Sequence, residues 1–212
     1  MKFSDLPDLL PIFPLSEALL LPKGQLPLNI FEQRYIDMID DVLGTHRIIG
    51  MVQPKSCEHE SPSSVYQIGC AGRITSFEEQ EKGRYIITLT GVSRFDIVKE
   101  VNSGTSYRQI APCWRSYEKD IIGCCDCGLD IENFVKTLEC YLTKMGMICE
   151  KWDEIKNIEE ERLIAMISMV CPFSCEEKQA LLEAETVADR ADILITLMDM
   201  ALRENAEKTI KH

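Results

Sequence analysis

Histidine, tryptophan and positive charge are scarce in this sequence. Its 212 residues include three histidines, two tryptophans and 23 Lys+Arg against 35 Asp+Glu, for a formal net charge of −12. His212 is terminal, His59 falls in a polar stretch, and His46 starts an apolar run. A cysteine–histidine nucleophilic pair would have to be assembled in space, and sequence order alone neither makes nor removes it. The pattern G-x-x-x-x-G-K-[ST] is absent, and so are G-x-S-x-G and H-E-x-x-H, so no motif marks nucleotide, serine or zinc hydrolysis. Basic clusters are missing too. The stretch up to Cys127 carries a net −4 and the remainder −8, which disfavours nucleic acid and anionic membranes as partners.

Long apolar runs are also lacking. A membrane helix needs roughly 20 mostly apolar residues in one unbroken helix. The most apolar stretch, PIFPLSEALLLPKGQLPLNIFEQRY from Pro11 to Tyr35, is interrupted by Pro14, Pro22 and Pro27 and carries Glu17 and Lys23. Asp5 and Asp8 stand where a secretory signal would have basic residues. The expectation is a folded, cytoplasmic protein.

Cysteine, by contrast, is abundant, with ten residues. Without an export signal these are expected as reduced thiols, most serving as small apolar groups. The oddest local feature is Gly-Cys-Cys-Asp-Cys-Gly at 123–128, in which Cys124 and Cys127 form a C-x-x-C and Cys125 lies between them. One such pair is half of a structural zinc site, and no second C-x-x-C completes it. A thioredoxin-like role would need a βαβ setting that the flanking sequence does not provide. The alternative to a metal or redox site is an incidental cysteine-rich linker. No cofactor is expected.

Periodicity divides the chain. The first part reads mainly as strand: Ile12-Phe13, Ala18 to Leu21, Arg47 to Val52, Val65 to Phe77, Arg84 to Leu89, and a last strand within Tyr107 to Tyr117. Gln80 to Gly83 makes a hairpin turn. One helix interrupts the strands, with Phe31, Tyr35, Met38, Ile39 and Val42 at helical spacing and Gly44 as a stop. From Leu129 the period is helical throughout. Ser174 with Glu177 is a capping box, Thr186 with Asp189 resembles a second cap, and Ala191, Leu194, Ile195, Met198, Ala201 and Leu202 make one apolar stripe. The expected organisation is a β-rich unit over 1–122 and a helical unit over 123–212.

The opening stretch PIFPLSEALLLPKGQLPLNIFEQRY resembles the start of the Lon protease N-terminal domain family. The likeness continues through Ile49-Gly50-Met51, Gly69 to Ile74, Gly83-Arg84-Tyr85, Leu89-Thr90-Gly91 and Arg94-Phe95. Pro172-Phe173-Ser174 and Glu177 to Glu183 look like the helical part of the stand-alone bacterial members. What the resemblance implies is an α+β fold: a PUA-like β pseudobarrel with one early helix, followed by a C-terminal α-helical bundle. It also implies a substrate-recognition module without ATPase or protease parts, acting in protein quality control or proteolysis. The partners implied are unfolded or extended polypeptides and a protease, with dimerisation left open. RNA binding, which some PUA-like folds perform, is disfavoured by the acidic charge, and that same charge suits basic clients. Phe31, Arg34 and Tyr35 with Arg94 are the candidate polypeptide-binding residues, because an aromatic–arginine patch suits recognition. The plain alternatives are that Phe31 and Tyr35 are core and that Arg94 pairs with an acid or caps carbonyls.

Overall fold

The computed structural model describes residues 3–55, 64–81, 83–123, 128–147 and 152–210. It is a mixed α+β fold, a six-stranded sheet wound into a pseudobarrel and flanked by helices. The strands are β1 (Leu10–Pro14), β2 (Gln25–Ile30), β3 (Ile48–Val52), β4 (Ile68–Gln80), β5 (Arg84–Val101) and β6 (Gln109–Cys113). They lie in the order β2-β5-β4-β3-β1-β6, with β5 also pairing to β6. The winding comes from β5, which is 18 residues long. Its first half pairs with β2 and its second half with β6, while β4 lies antiparallel along most of its length. Register shifts between Ala71 and Gly72 and between Ile74 and Ser76 bend this long ladder.

The early helix forms as the periodicity requires. Helix α1 (Gln33–Leu43) buries Tyr35, Met38, Ile39 and Val42. Phe31 lies before its first turn, at the end of β2, so it does not share the buried stripe. The apolar run Ala18 to Leu21 is not a strand, and β2 forms instead around Pro27. Leu19, Leu20 and Leu21 are all at most 2% exposed, and they pack over the strands instead of pairing with them, with Leu20 against Gly72 of β4. β2 alternates, and as an edge strand it tolerates proline. The leucine segment presses its backbone onto β5 at Gly91, where an added Cβ would lie 1.9 Å from the Leu21 carbonyl oxygen. The last strand is also shorter than the sequence suggests, because the chain turns into a 3₁₀ segment (Arg115–Tyr117) and then α2 (Glu118–Ile122).

The helices that follow are α3 (Ile131–Lys144), α4 (Trp152–Lys156), α5 (Glu160–Val170), α6 (Cys175–Glu183) and α7 (Val187–Ile210). The capping box of α6 is present, with Ser174 and Glu177 exchanging hydrogen bonds of 3.2 and 2.7 Å. Thr186 and Asp189 do the same before α7. One apolar cluster runs from Phe13 and the leucines of 19–21 through α1 to α3, α5 and α7. A second fills the pseudobarrel around Phe95, Ile12 and Ile110.

Polar bonds tie the helices to the strands. Lys178 Nζ donates to the Glu17 carbonyl at 2.5 Å, Lys23 meets Glu161 at 2.5 Å and Glu159 at 2.8 Å, and Gln53 Nε2 donates to Gln179 Oε1 at 3.0 Å. Cys70, Cys171 and Cys175 are buried free thiols. Burial pushes the Cys171 thiol up to about 11, so it stays protonated and inert at neutral pH. Among the described residues no helix is long and apolar enough to cross a membrane.

Candidate functional site

The candidate site is a groove where β1 runs past the end of β6. Ile12 N donates to Arg108 O at 3.0 Å, and Leu15 N donates to Val52 O at 3.1 Å on the opposite side. Backbone groups alternate sides along a strand, so Pro14 faces the side that β6 has vacated. Proline has no N–H, and this open edge therefore offers a carbonyl and no donor. Glu32 with Arg34 and Tyr35 at the start of α1 form one wall, and residues 106–108 form the other. Together they enclose a concavity of about 350 Å³.

The floor is aromatic. The Phe13 and Tyr35 rings lie with centroids 4.2 Å apart. Arg34 covers Tyr35 from the solvent side, its guanidinium carbon 4.5 Å from the ring centroid. Arg34 Nε and Nη2 donate to Glu32 Oε2 at 3.0 and 2.8 Å. On the facing wall, Tyr107 donates to Asp41 Oδ2 at 2.7 Å, and Ser106 donates to Asp37 Oδ2 at 2.8 Å. Burial and the bond to Asp41 push the Tyr107 phenol up to about 12. Arg108 completes the rim and is held by Glu100. Burial raises the Tyr35 phenol above its ordinary value, with Arg34 and Arg108 pulling down and Glu32 pushing up. Both phenols are thus neutral hydrogen-bond donors at neutral pH.

Phe31 stands beside this groove in the chain and is 64% exposed.

Of the four residues expected at a binding patch, Arg34 and Tyr35 line this groove, while Phe31, next in the chain to Glu32 of the lining, is exposed and does not line it. Arg94 is elsewhere. It is 4% exposed and lines a separate concavity of about 580 Å³ together with Tyr117 and the turn between α6 and α7. There it bonds Asp120 through Nε and Nη2, both at 2.9 Å, and donates to the carbonyls of Leu182, at 3.2 Å, and Ala184. Burial opposes its charge, but Asp120 outweighs this and holds the guanidinium above its ordinary range. Arg94 therefore pairs with an acid and caps carbonyls, joining β5, α2 and the helices. Tyr107, Arg108 and Ser106 were not singled out from sequence. They lie more than 60 residues from α1, and long-range contacts place them: the pairing of β6 with β1, the bond from Ile12 N to Arg108 O, and the bonds to Asp37 and Asp41.

Cys124, Cys125 and Cys127 lie outside the described residues. Among the described residues no group of three or more His, Cys, Asp or Glu is placed to hold a metal ion.

Residues 9–200 match the family described as the ATP-dependent protease La (LON) substrate-binding domain. The chain is 27% identical over 208 residues to Lon protease 2 of Myxococcus xanthus, covering 92% of this chain and 24% of that protein. It is 29% identical over 209 residues to the Lon protease of Flavobacterium johnsoniae, covering 96% of this chain and 25% of that protein. The chain thus spans about a quarter of the length of these curated relatives. The fold is shared with a solved Lon N-terminal domain protein from Xanthomonas campestris, at a TM-score of 0.60 and 21% identity over 89% of this chain and 97% of that one. It is shared also with the N-terminal domain of a Mycobacterium avium complex Lon protease, at a TM-score of 0.64 and 14% identity over 90% and 98%. With nearly its whole length matched in order, the chain belongs to the LON substrate-binding domain family.

Proposed function

We propose that this chain is a non-catalytic module that captures unfolded or extended polypeptides and serves as an adaptor or regulator for proteolysis. The observation that carries this reading is a groove whose floor is aromatic and whose rim holds Arg34 and Arg108, with the solvent-exposed Phe31 next in the chain to Glu32 of its lining. An exposed aromatic next to a stacked arginine is a combination enriched where binding energy concentrates. The open edge at Pro14 accepts a hydrogen bond from a passing backbone, as extended segments require. The family's substrate-binding name and the Lon proteases among its relatives support a protease as the working partner. The division into units 1–122 and 123–212 belongs to the same proposal, with the first unit carrying the groove.

The test is a titration of the protein against a fluorescently labelled unfolded polypeptide, with the same polypeptide folded as control. Saturable binding to the unfolded form alone is expected, weakened about tenfold, which is a loss of about 1.4 kcal/mol, by Phe31→Ala together with Arg34→Ala. Binding unchanged in that stable double variant removes the site from the proposal.

A further inference from the structure

Residues 15–24 carry the chain from β1 to β2 without joining a helix or a strand. Their middle, Leu19 to Leu21, is buried over β4 and β5. Two of the three described non-glycine residues with positive φ bound that middle: Glu17 and Lys23, both at 64°. The left-handed region is costly for a residue with a side chain, which stays there only where its surroundings hold it.

The holding groups come from α5 and α6. At Glu17, Lys178 Nζ of α6 donates to the backbone carbonyl at 2.5 Å. Lysine is seldom buried as far as Lys178, which is 7% exposed; here the burial delivers its ammonium to the segment. At Lys23, the ammonium meets Glu161 at 2.5 Å and Glu159 at 2.8 Å, where α5 begins. The bonds between the segment's backbone and the sheet lie at this same end: Lys23 N donates to Gly91 O at 3.0 Å, and Gly91 N donates to Gly24 O at 2.8 Å. At the other end, Pro14 and Leu15 line the groove, and Leu15 N donates to Val52 O at 3.1 Å. Glu17 therefore stands two residues beyond the lip of the groove.

We propose that residues 15–24 form a strained strap held closed by Lys178 and by the Lys23–Glu161 pair, and that this strap opens as a unit, freeing the lip at Leu15 while the barrel stays folded. The order of the groove is then set from α5 and α6, through two contacts on different helices.

The experiment is amide hydrogen exchange read by NMR on the full chain, at several low urea concentrations. No polypeptide is added, so the outcome is independent of the binding reading above. In the parent, the amides of Leu15, Lys23, Gly24 and Gly91 are expected to exchange as one group, faster than those of β3 and with little dependence on urea, because a local opening exposes little surface. Lys178→Met keeps a long unbranched side chain and removes the ammonium. It is expected to speed the group at least about tenfold, the loss of one hydrogen bond from a charged donor. Glu161→Gln is expected to act in the same direction and more weakly, since Glu159 remains, and it carries the test should Lys178→Met not fold. Ile110→Val, a small cavity in the barrel core, serves as control. It is expected to speed the β3 amides, which exchange through global unfolding, and to leave the strap group within about twofold of the parent, since the core stays intact when only the strap opens.

Strap amides that exchange at the rate and urea dependence of β3, or that Ile110→Val speeds as much as β3, overturn the proposal. So does a Leu15 amide that keeps its parent rate when Lys178→Met speeds Lys23 and Gly24, because the clips then do not reach the groove.

Discussion

Arg94 and Asp120 meet as a buried pair 2.9 Å apart, with side chains only 5% and 8% accessible. The backbone N–H of Arg94 donates to the same carboxylate at 2.9 Å, and Tyr117 stacks on the guanidinium at 4.7 Å. A second guanidinium, Arg190, lies close by, 3% exposed, donating through Nε to the Leu181 carbonyl at 2.8 Å. Burial, and then the charge of Arg94, press Arg190 down to about 10. Asp120 is thus the carboxylate that answers the buried charge of β5 where it meets the α6–α7 turn.

Removing it leaves that charge uncompensated. Asp120→Ala is expected to cost about 3–5 kcal/mol, the range for breaking a buried pair from one side. Chemical denaturation of the variant measures it. A cost below about 1 kcal/mol, the value of an exposed pair, contradicts the role given to this contact.

Gly91 tests the packing of the leucine segment on β5. An alanine Cβ there would sit 1.9 Å from the Leu21 carbonyl oxygen and 2.7 Å from its carbon. Neither is a flexible side chain, so the backbone must shift. Gly91→Ala is expected to destabilise by about 3 kcal/mol, the upper range for overpacking, read as a lower urea midpoint with an unchanged slope.

A third expectation concerns alkaline pH. Tyr107 is held at about 12 in the folded protein by burial and its bond to Asp41, against an ordinary value of 10.0. A group whose folded value is raised lends stability that is complete below the unfolded value and lost as pH climbs through the folded one. Melting temperature should therefore fall between about pH 10 and about pH 12. Tyr107→Phe should show a shallower fall over that window and a lower starting point at neutral pH, where it leaves Asp41 without a donor. Identical slopes for parent and variant would falsify the assignment.

The contacts across the joint make a prediction about fragments. A chain ending at residue 122 loses Glu161 from Lys23, Lys178 from the Glu17 carbonyl, Gln179 from Gln53, and the carbonyl partners of Arg94. It also uncovers the part of the apolar cluster supplied by α3, α5 and α7. The 1–122 fragment is expected to melt well below the full chain, with broadened amide resonances. Adding the 123–212 fragment in trans should restore part of the difference.

Much of this was legible in the residue pattern. Helical spacing named the buried face of α1 except for Phe31, and Ser174 with Glu177 announced the start of α6 through a local hydrogen-bond exchange. The β4–β5 hairpin was visible because Gly83 takes the positive φ of +68° that its turn requires. What failed was the segment before α1. Consecutive leucines look like a strand, yet Leu19 to Leu21 are buried without joining a ladder, with Leu20 against Gly72 of β4 and the Leu21 backbone against Gly91 of β5; Met169 of α5, some 140 residues later, sits against nearby Gly24. Pro27 then hid the real strand, since proline argues against a ladder unless the strand is known to be an edge. The candidate site was half legible for the same reason. Phe31, Arg34 and Tyr35 are neighbours in sequence, whereas the opposite wall depends on the bonds from Ser106 and Tyr107 to α1. Arg94, placed with them by residue type, is drawn away by Asp120.

The most direct measurement of the central claim is the titration of the full chain with the labelled unfolded polypeptide, carried out for the parent and for Phe31→Ala. That substitution touches a side chain 64% exposed and should change stability by less than about 0.5 kcal/mol. Saturable binding to the parent, lost or strongly weakened in the variant with an unchanged melting temperature, is the predicted result. Absence of binding by the parent, or equal binding by both proteins, contradicts the account.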